Sequence, residues 1–265
     1  MVAVEICLAS DSRADLATQV EKTYQAGAQR IELCAAMEDE GLTPSESAIA
    51  TARKAFKRRN GLIVMIRPRA GDFCYNAGEI ALMKKQIVMA ATNGANGVVF
   101  GVLCREGNGF NAVAMGELIM LAKQQGLSVG VHRAFDVIED SKAAMNQLCA
   151  WQVDRVLTSG QKWGSAAGAI DGVETLKQLA LYALGRVEIV IAGGVNVDQV
   201  LPITAELIAV HGRYSFHAYS SVLLHGRHGV LHKEEIINDE VDLDKIRALV
   251  EVVNAIELAP LPARH

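Results

Sequence analysis

Two stretches of the sequence repeat one chemical pattern, a glutamate followed two residues later by a cysteine. Glu5 and Cys7 lie in AVEICLAS, and Glu32 and Cys34 hold the equivalent places in RIELCAA. Both stretches have the character of buried strands, in which residues two apart point to the same side. We therefore predict that each glutamate shares a face with its cysteine. A buried carboxylate requires a compensating partner, so this face is a candidate for ion pairing or for function.

The cysteines offer metal-binding chemistry. Cys7 and Cys34 are predicted to lie in phase on neighbouring strands, and Cys74, on the loop after the third strand, can join them. Soft thiolates suit Cu(I), with zinc as a competitor. The alternative is that they are ordinary buried thiols, which is the commoner state of free cysteine. The chain has five cysteines, and the odd number without C-x-x-C spacing argues against a disulfide framework or a zinc ribbon.

Arginines follow the third predicted strand. The segment IRPRAGDFCYN presents Arg67 and Arg69, whose guanidinium groups can bind a carboxylate or a phosphate. The alternative is that they neutralise Glu5 and Glu32 in the interior. We predict a shared role, in which Arg67 is structural and Arg69 lies nearer a ligand.

The segment VHRAFD places His132, Arg133 and Asp136 at the end of the fifth predicted strand. A histidine near a carboxylate is a common general acid/base arrangement. We predict proton transfer by His132 with Asp136 or Glu32, and binding of an anion by Arg133. The alternative is a hydrogen-bond network that only closes this end of the domain.

Glycines and serines near the last predicted strands indicate an anion site. Gly193 and Gly194 form a turn into a helix N-terminus, and Ser220 and Ser221 follow the eighth strand. Backbone N–H groups at such turns commonly bind phosphate. Each motif is weak alone, because Gly-Gly is also simply a tight turn. Their joint placement predicts a site for a small anion.

The elements that must position these residues alternate regularly between strand and helix. Capping residues predict the helix starts: a capping box at 43–46 with Pro44 at the first helical position, and N-caps at Asn111, Ser141, Asn196 and Asp242. The predicted strands are Val2–Leu8, Arg30–Cys34, Leu62–Arg67, Gly97–Leu103, Ser128–His132, Arg155–Ser159, Glu188–Ala192 and Phe216–Tyr219. Eight such units in a chain of this length predict an α/β fold, a single (β/α)8 TIM barrel. An open doubly wound sheet is the alternative, but no G-x-G-x-x-G opens the first helix.

Strand alternation then predicts which side chains face the barrel interior. They are Glu5, Cys7, Glu32, Cys34, Met65, Arg67, Gly130 and His132. We predict one domain over residues 1–265, with a long loop at about 222–241 before the last helix. This loop carries His225, His228 and His232, for which we predict no metal site.

Composition excludes several classes of function. The net charge of −4 does not favour nucleic-acid binding, which usually requires a broad basic surface. No apolar run approaches the roughly 18 residues of a membrane span, and the N-terminus lacks a signal pattern. These features predict a cytoplasmic protein with no membrane partner.

Five motifs occur in order along the chain: VEICLAS, RIELCAA with EGLTPS, IRPRAGDFCY, HRAFD and VLTSGQK. Together they resemble the CutC family. The resemblance implies a cytoplasmic (β/α)8 barrel, a homodimer or higher homo-oligomer, Cu(I) binding by cysteine and a role in copper homeostasis; no enzymatic reaction is established for the family. The residues on family-like motifs are Glu5, Cys7, Glu32, Cys34, Arg67, Arg69, Asp72, Cys74, His132, Arg133, Asp136, Thr158, Ser159 and Gln161.

Three hypotheses follow. The first is a Cu(I)-binding protein that uses Cys7, Cys34 and Cys74. The second is an enzyme acting on a small anionic or phosphorylated metabolite, held by Arg69 and Arg133. The third is a scaffold whose polar interior only satisfies itself.

Overall fold

Eight parallel strands close into a barrel, in which each strand pairs with the next along the chain and the eighth returns to the first. The computed structural model describes residues 2–105, 108–210, 212–224 and 240–258. The strands are β1 Val4–Ala9, β2 Arg30–Cys34, β3 Leu62–Met65, β4 Gly97–Phe100, β5 Ser128–Val131, β6 Arg155–Thr158, β7 Glu188–Ile191 and β8 Tyr214–Ala218. This arrangement confirms the predicted (β/α)8 TIM barrel.

A helix follows each strand. The helices are α1 Leu16–Gln25, α2 Glu46–Phe56, α3 Ala77–Thr92, α4 Ala112–Gln124, α5 Ser141–Ala150, α6 Val173–Ala183, α7 Val197–Leu207 and α8 Leu243–Leu258. Short 3-10 turns at Met37–Asp39, Arg133–Val137 and Ser220–Val222 extend the loops above the strand ends. The predicted N-caps Asn111, Asn196 and Asp242 are confirmed. Asp140, rather than the predicted Ser141, caps α5.

The start of α2 also differs from the prediction. Ser45 is the N-cap, and its hydroxyl accepts a hydrogen bond from Ala48 N at 3.2 Å. Thr43 instead binds the chain after β3: its hydroxyl accepts from Arg67 N at 2.8 Å, and its own N–H donates to Arg67 O at 3.0 Å. Pro44 therefore precedes the helix. The consequence is that the loop after β2 is fixed to the chain after β3, at the residue that carries the Arg67 side chain.

The strands present two different faces, as the alternation predicts. Outward-facing residues such as Ile6, Leu33 and Val64 join the large core between strands and helices. A separate small cluster fills part of the barrel lumen, and its buried members are Cys7, Cys34, Ile63, Met65 and Val99. The lumen is therefore lined by thiols and a thioether beside the buried charges described below.

A short antiparallel contact closes the long loop before α8. Leu223 pairs with Val241, and Leu224 N donates to Glu240 O at 2.9 Å. Residues 225–239, and with them the three loop histidines, lie outside the described residues. Within the described ranges, no helix has both the length and the apolar character needed to cross a membrane.

We expect Thr43→Val to lower the free energy of unfolding by about 1–2 kcal/mol, because a backbone N–H loses its acceptor. Chemical denaturation measures the change. Thr175→Val, at an exposed position of α6, is the control and should leave stability nearly unchanged. Equal stability of the two variants would show that the contact between Thr43 and Arg67 contributes nothing.

Candidate functional site

A cavity of about 300 Å³ lies at the C-terminal end of the barrel, where enzymes of this fold carry their sites. Side chains from most strand ends line it, together with the chain just beyond them. The predicted site residues among them are Cys7, Glu32, Cys34, Arg67, His132, Arg133, Gly193, Gly194, Ser220 and Ser221. The residues that sequence reasoning did not assign to a site include Met37, Trp163 and His217.

Three sulfur atoms meet at the base of this cavity. Cys7 and Cys34 lie on the same lumen face of paired strands, with Cys7 opposite Glu32 in the register. Their Sγ atoms are 3.8 Å apart, and both are free thiols. Met37 brings its Sδ to 3.9 Å from the Cys7 sulfur. The structure therefore assembles a group of soft ligands, two thiols and one thioether.

Met37 was missed because its position depends on a turn. The 3-10 turn that carries it is flanked by Ala36 and Glu40, both with left-handed backbone conformations at φ of 48° and 66°. Neither residue type favours this conformation, so these residues alone do not predict that the chain folds back over the cysteines. The only available signal was a methionine three residues after Cys34.

The structure does not bring Cys74 into the sulfur group. Its Sγ lies 3.0 Å from the carbonyl oxygen of Cys104. The groups with metal-ligand spacing among the described residues are Cys7–Glu32–Cys34 and Glu5–Glu32–His217. Cys74 belongs to neither group, so a three-cysteine site is not formed.

Glu5 is the centre of a buried ion network. Its carboxylate is 3.0 Å from Arg30 Nε, 3.1 Å from His217 Nδ1 and 3.7 Å from an Arg155 guanidinium nitrogen. Burial alone would raise the pKa of Glu5, but Arg30 and then His217 and Arg155 lower this pKa to about 2. The alternative in which Arg67 and Arg69 neutralise this glutamate is therefore wrong.

Arg67 instead binds the loops that follow β2 and β3. Its guanidinium donates to three backbone carbonyl oxygens, those of Asp39, Gly41 and Gly71, at 2.5, 3.2 and 3.0 Å. It also lies over the Phe73 ring, 5.0 Å from the centroid. Arg67 thus holds two loops together beside the cavity, which agrees with the structural part of its predicted role.

Arg69 is occupied by its own loop. Its Nε donates to Glu79 at 2.5 Å, and a terminal nitrogen donates to Asp72 at 2.9 Å. It does not line the cavity at the barrel mouth. The prediction that Arg69 lies nearer a ligand than Arg67 is not met, because these acceptors hold its side chain against the start of α3.

His217 connects the ion network to the thiols. Its Nε2 lies 3.6 Å from a Glu32 oxygen, while Nδ1 faces Glu5. Burial would lower the pKa of His217, but Glu32, Cys7 and Glu5 together raise it well above its usual range. Burial raises the pKa of Glu32 to about 8, although the positive charge of His217 acts to lower it. At neutral pH the imidazole is therefore charged and Glu32 is largely protonated.

The two thiols differ in acidity because Cys34 donates a hydrogen bond to the sulfur of Cys7. The hydrogen bond from Cys34, and after it the nearby His217, lower the pKa of Cys7 to about 6 although burial opposes this. The same hydrogen bond and burial raise the pKa of Cys34 well above its usual value. The site thus holds one thiolate and one thiol at neutral pH.

The Cys7 thiolate balances the charges of the network around Glu5. The positive groups of this network are Arg30, Arg155 and His217, and its negative groups are Glu5, Glu188 and Cys7. Glu188 belongs to this set because it binds Arg30 at 2.6 Å. With Glu32 protonated, the two signs are equal in number within the network, and the buried Arg67 adds a further positive charge at the cavity. The nearby positive charges make a buried thiolate tolerable.

The predicted pairing of His132 with Asp136 is wrong. Asp136 accepts hydrogen bonds from Arg133 Nε at 2.8 Å, from Ser159 N at 3.2 Å and from the Thr158 hydroxyl. These contacts tie the loop after β5 to the end of β6. Asp136 therefore fixes the position of Arg133 and is not available to His132 as a proton-transfer partner.

His132 is a neutral, buried imidazole. Its Nδ1 accepts a hydrogen bond from Ala134 N at 3.1 Å, which places the proton on Nε2. Burial and then the charge of Arg67 lower the pKa of His132 to about 3. No group in the described ranges accepts a hydrogen bond from Nε2. Only 3 % of His132 is exposed. Its Nε2–H is therefore a buried donor, held in position by the hydrogen bond at Nδ1, that has no acceptor among the described residues.

The fold and the site together define the class of protein, a (β/α)8 barrel with a buried thiol pair at its mouth. The comparisons with known proteins agree: the CutC family model matches residues 2–220, and the chain belongs to the CutC family.

Individual relatives extend over most of the chain. A CutC family protein of Glaesserella parasuis is 34% identical over 255 residues, which cover 95% of this chain and 98% of the relative. One from Bacteroides fragilis is 43% identical over 182 residues, 69% of each chain. The crystal structure of a Streptococcus agalactiae CutC, whose name refers to copper homeostasis, superposes with a TM-score of 0.71. It is 31% identical and matches 82% of this chain and 98% of its own.

We expect the ion network to give the protein a specific acid sensitivity. The folded pKa of Glu5, about 2, lies below its ordinary value of 4.5, so its contribution is fully present above pH 4.5 and is lost as pH falls through 2. This shift corresponds to roughly 3 kcal/mol. Glu5→Gln should therefore lower stability at neutral pH and flatten the loss of stability between pH 4.5 and 2, measured by urea unfolding. Glu251→Gln, at an exposed position of α8, should keep the wild-type profile.

We expect the Cys7 thiol to titrate near pH 6, followed by thiolate absorbance in the ultraviolet. Cys34→Ala should raise this apparent pKa, because it removes the largest stabilising hydrogen bond. Cys149→Ala, a buried thiol near Ala183 on the helical side, is the control. An unchanged titration in Cys34→Ala would exclude the proposed asymmetry of the thiol pair.

Proposed function

We propose that the protein binds Cu(I) in copper homeostasis, through Cys7 and Cys34 with Met37 as a third sulfur ligand. The observation that carries this proposal is the meeting of three sulfur atoms at the base of the cavity. The Cys7 sulfur lies 3.8 Å from that of Cys34 and 3.9 Å from that of Met37. Thiolate and thioether are the ligands that Cu(I) prefers. Membership of the CutC family supports the same function.

The spacing of the sulfurs fits a metal ion. Metal–sulfur bonds of about 2.3 Å place sulfur atoms about 4 Å apart around a three-coordinate ion. The Cys7–Cys34 and Cys7–Met37 sulfur separations, 3.8 and 3.9 Å, lie close to this value, so an ion can enter with small side-chain rotations. A linear two-coordinate ion would need sulfurs about 4.6 Å apart by the same bond length, which supports the inclusion of Met37.

The charge of the lumen favours a monovalent ion. Before binding, Cys7 is a thiolate and Cys34 a thiol. When Cu(I) replaces the Cys34 proton, one positive charge enters as another leaves, so the balance with Glu5 and His217 is unchanged. Zn(II) brings one more positive charge and keeps the balance only if Glu32, which has metal-ligand spacing to both thiols, also loses its proton. Cu(I) requires no second deprotonation, and this difference favours the monovalent ion.

The site operates only with reduced thiols. Such thiols persist in a reducing compartment, which supports a cytoplasmic location for this function. The homodimer or higher homo-oligomer implied by the family remains a prediction, which sedimentation analysis of the purified protein can test.

We expect the Cys7→Ser/Cys34→Ser double variant to lose tight Cu(I) binding, measured by competition with a chromophoric Cu(I) chelator under anaerobic reducing conditions. Cys74→Ser/Cys149→Ser has the same number of thiols removed and should bind as the wild type does. Undiminished affinity in the first double variant would overturn the copper proposal.

We expect Met37→Leu to weaken Cu(I) binding by about tenfold, since one of three ligands is replaced by an apolar group of similar volume. Met145→Leu, buried in α5, is the matched control. X-ray absorption at the copper edge gives a second measurement, because the variant should retain two sulfur neighbours rather than three. Three sulfurs in Met37→Leu would assign the third ligand elsewhere.

A further inference from the structure

The wall of the cavity at the ends of β7 and β8 has a different chemistry from the sulfur group. It consists of the turn after β7, Gly193–Val195, and the chain after β8 that begins the 3-10 turn at Ser220. Gly193 and Gly194 have positive φ values of 100° and 75°. Two successive residues in this conformation let the chain turn sharply while its N–H groups remain outside any helix or strand.

These N–H groups have no acceptors. Within the described ranges, the backbone N–H groups of Gly193, Gly194, Val195 and Ser220 donate no hydrogen bond to another protein group. Only 1 % of Val195 is exposed, whereas Gly193 and Ser220 are half-buried and Gly194 is exposed. Nearly all buried backbone donors are satisfied, so the unused N–H of Val195 is unusual and indicates an external acceptor. The N–H groups beside it are open to the same acceptor.

The donors belong to the turn and not to the helix that follows it. Asn196 caps α7, and its side chain accepts from the N–H groups of Asp198 and Gln199 at 3.0 and 3.2 Å. These two N–H groups of the first turn of α7 are therefore already satisfied. The Ser221 hydroxyl donates to Val195 O at 2.5 Å, which fixes the two parts of the wall to each other. The donors are thus preorganised.

A second, independent donor faces the cavity from the other side. His132 lines the same cavity, and its Nε2–H has no acceptor in the described part of the chain. Because the imidazole is neutral, it offers a directional hydrogen bond without a charge. Arg67 has one unused buried donor as well, its Nε. A neutral histidine donor suits a carbonyl or hydroxyl oxygen rather than a phosphate.

The groups between these two walls include an aromatic pair and two arginines. Phe73 and Trp163 form an edge-to-face pair with ring centroids 5.5 Å apart, and Arg133 lies over the Trp163 ring at 5.1 Å. Arg67 and Arg133 both line the cavity, which also has negative groups at Glu40 and Cys7. The two guanidinium groups can attract an anion, and the aromatic pair suits a short carbon chain.

We propose that the cavity binds a small phosphorylated metabolite, whose phosphate accepts hydrogen bonds from the N–H groups of the Gly193–Val195 turn and of Ser220 and whose carbonyl or hydroxyl oxygen accepts from His132 Nε2–H. Successive amides at a glycine turn are a common phosphate site. This ligand site is independent of the copper proposal, since it uses none of the three sulfur atoms.

The decisive variant is Gly194→Ala. A Cβ at Gly194 meets no atom within 4 Å, so the methyl group fits without a clash and adds bulk beside the N–H groups that would bind the phosphate. Gly185→Ala is a matched control: Gly185 has φ of 71°, against 75° for Gly194, and its Cβ also meets nothing within 4 Å. Both variants carry the same backbone strain, but Gly185 follows α6 and does not line the cavity.

The experiment uses the metal-free protein with inorganic phosphate and dihydroxyacetone phosphate as probes, by calorimetric titration and thermal shift. We expect saturable binding of both probes by the wild type and Gly185→Ala, and at least about tenfold weaker binding by Gly194→Ala, because hydrogen bonds to a charged group are lost. Circular dichroism of the two glycine variants checks that both fold.

His132→Asn separates the two ends of the ligand. Asparagine can still accept from Ala134 N but cannot extend a donor as far as Nε2–H. We expect it to leave the affinity for inorganic phosphate unchanged and to weaken dihydroxyacetone phosphate about tenfold. The proposal is overturned if the wild type shows no saturable binding of either probe, or if Gly194→Ala binds as well as Gly185→Ala. Neither result depends on whether copper binds.

Discussion

The burial of one carboxylate, that of Glu5, is the constraint on which the rest of the lumen depends. An ionised group at this depth requires compensation, and its partners come from β2, β6 and β8, which are far apart in the chain. The carboxylate therefore joins strands across the barrel as well as neighbouring ones. His217, held charged by this network, adds to the effect of the Cys34 hydrogen bond in lowering the pKa of Cys7, and it opposes the burial that keeps Glu32 protonated. The acidity of the thiol pair therefore depends in part on the ion pair below it.

Much of this arrangement follows from strand periodicity. The alternation of side chains is sufficient to place Glu5, Cys7, Glu32 and Cys34 in the lumen, and the regular succession of apolar strands and capped helices is sufficient for the barrel. Arg30 was within reach of the same rule, because it lies two residues before Glu32 on the same strand. The two-residue period of a strand places Arg30 on the lumen face with Glu32, where it can be a partner of Glu5.

Other contacts could not be predicted in this way, because they depend on how long side chains and loops turn after the strands end. Alternation gives the direction of the Arg67 Cβ, but its guanidinium extends to loop carbonyl oxygens rather than to a glutamate. Asp136 lies near His132 in sequence, yet a 3-10 turn directs its carboxylate to the end of β6. Met37 approaches Cys7 only through two left-handed residues of types that seldom adopt that conformation.

The contact between Leu223 and Val241 has a consequence for how the chain can vary. Because these residues pair directly after β8 and before α8, they hold the two ends of the connection side by side. A segment inserted between positions 224 and 240 would therefore meet anchored chain on both sides. This makes the connection a natural point for inserting a reporter domain.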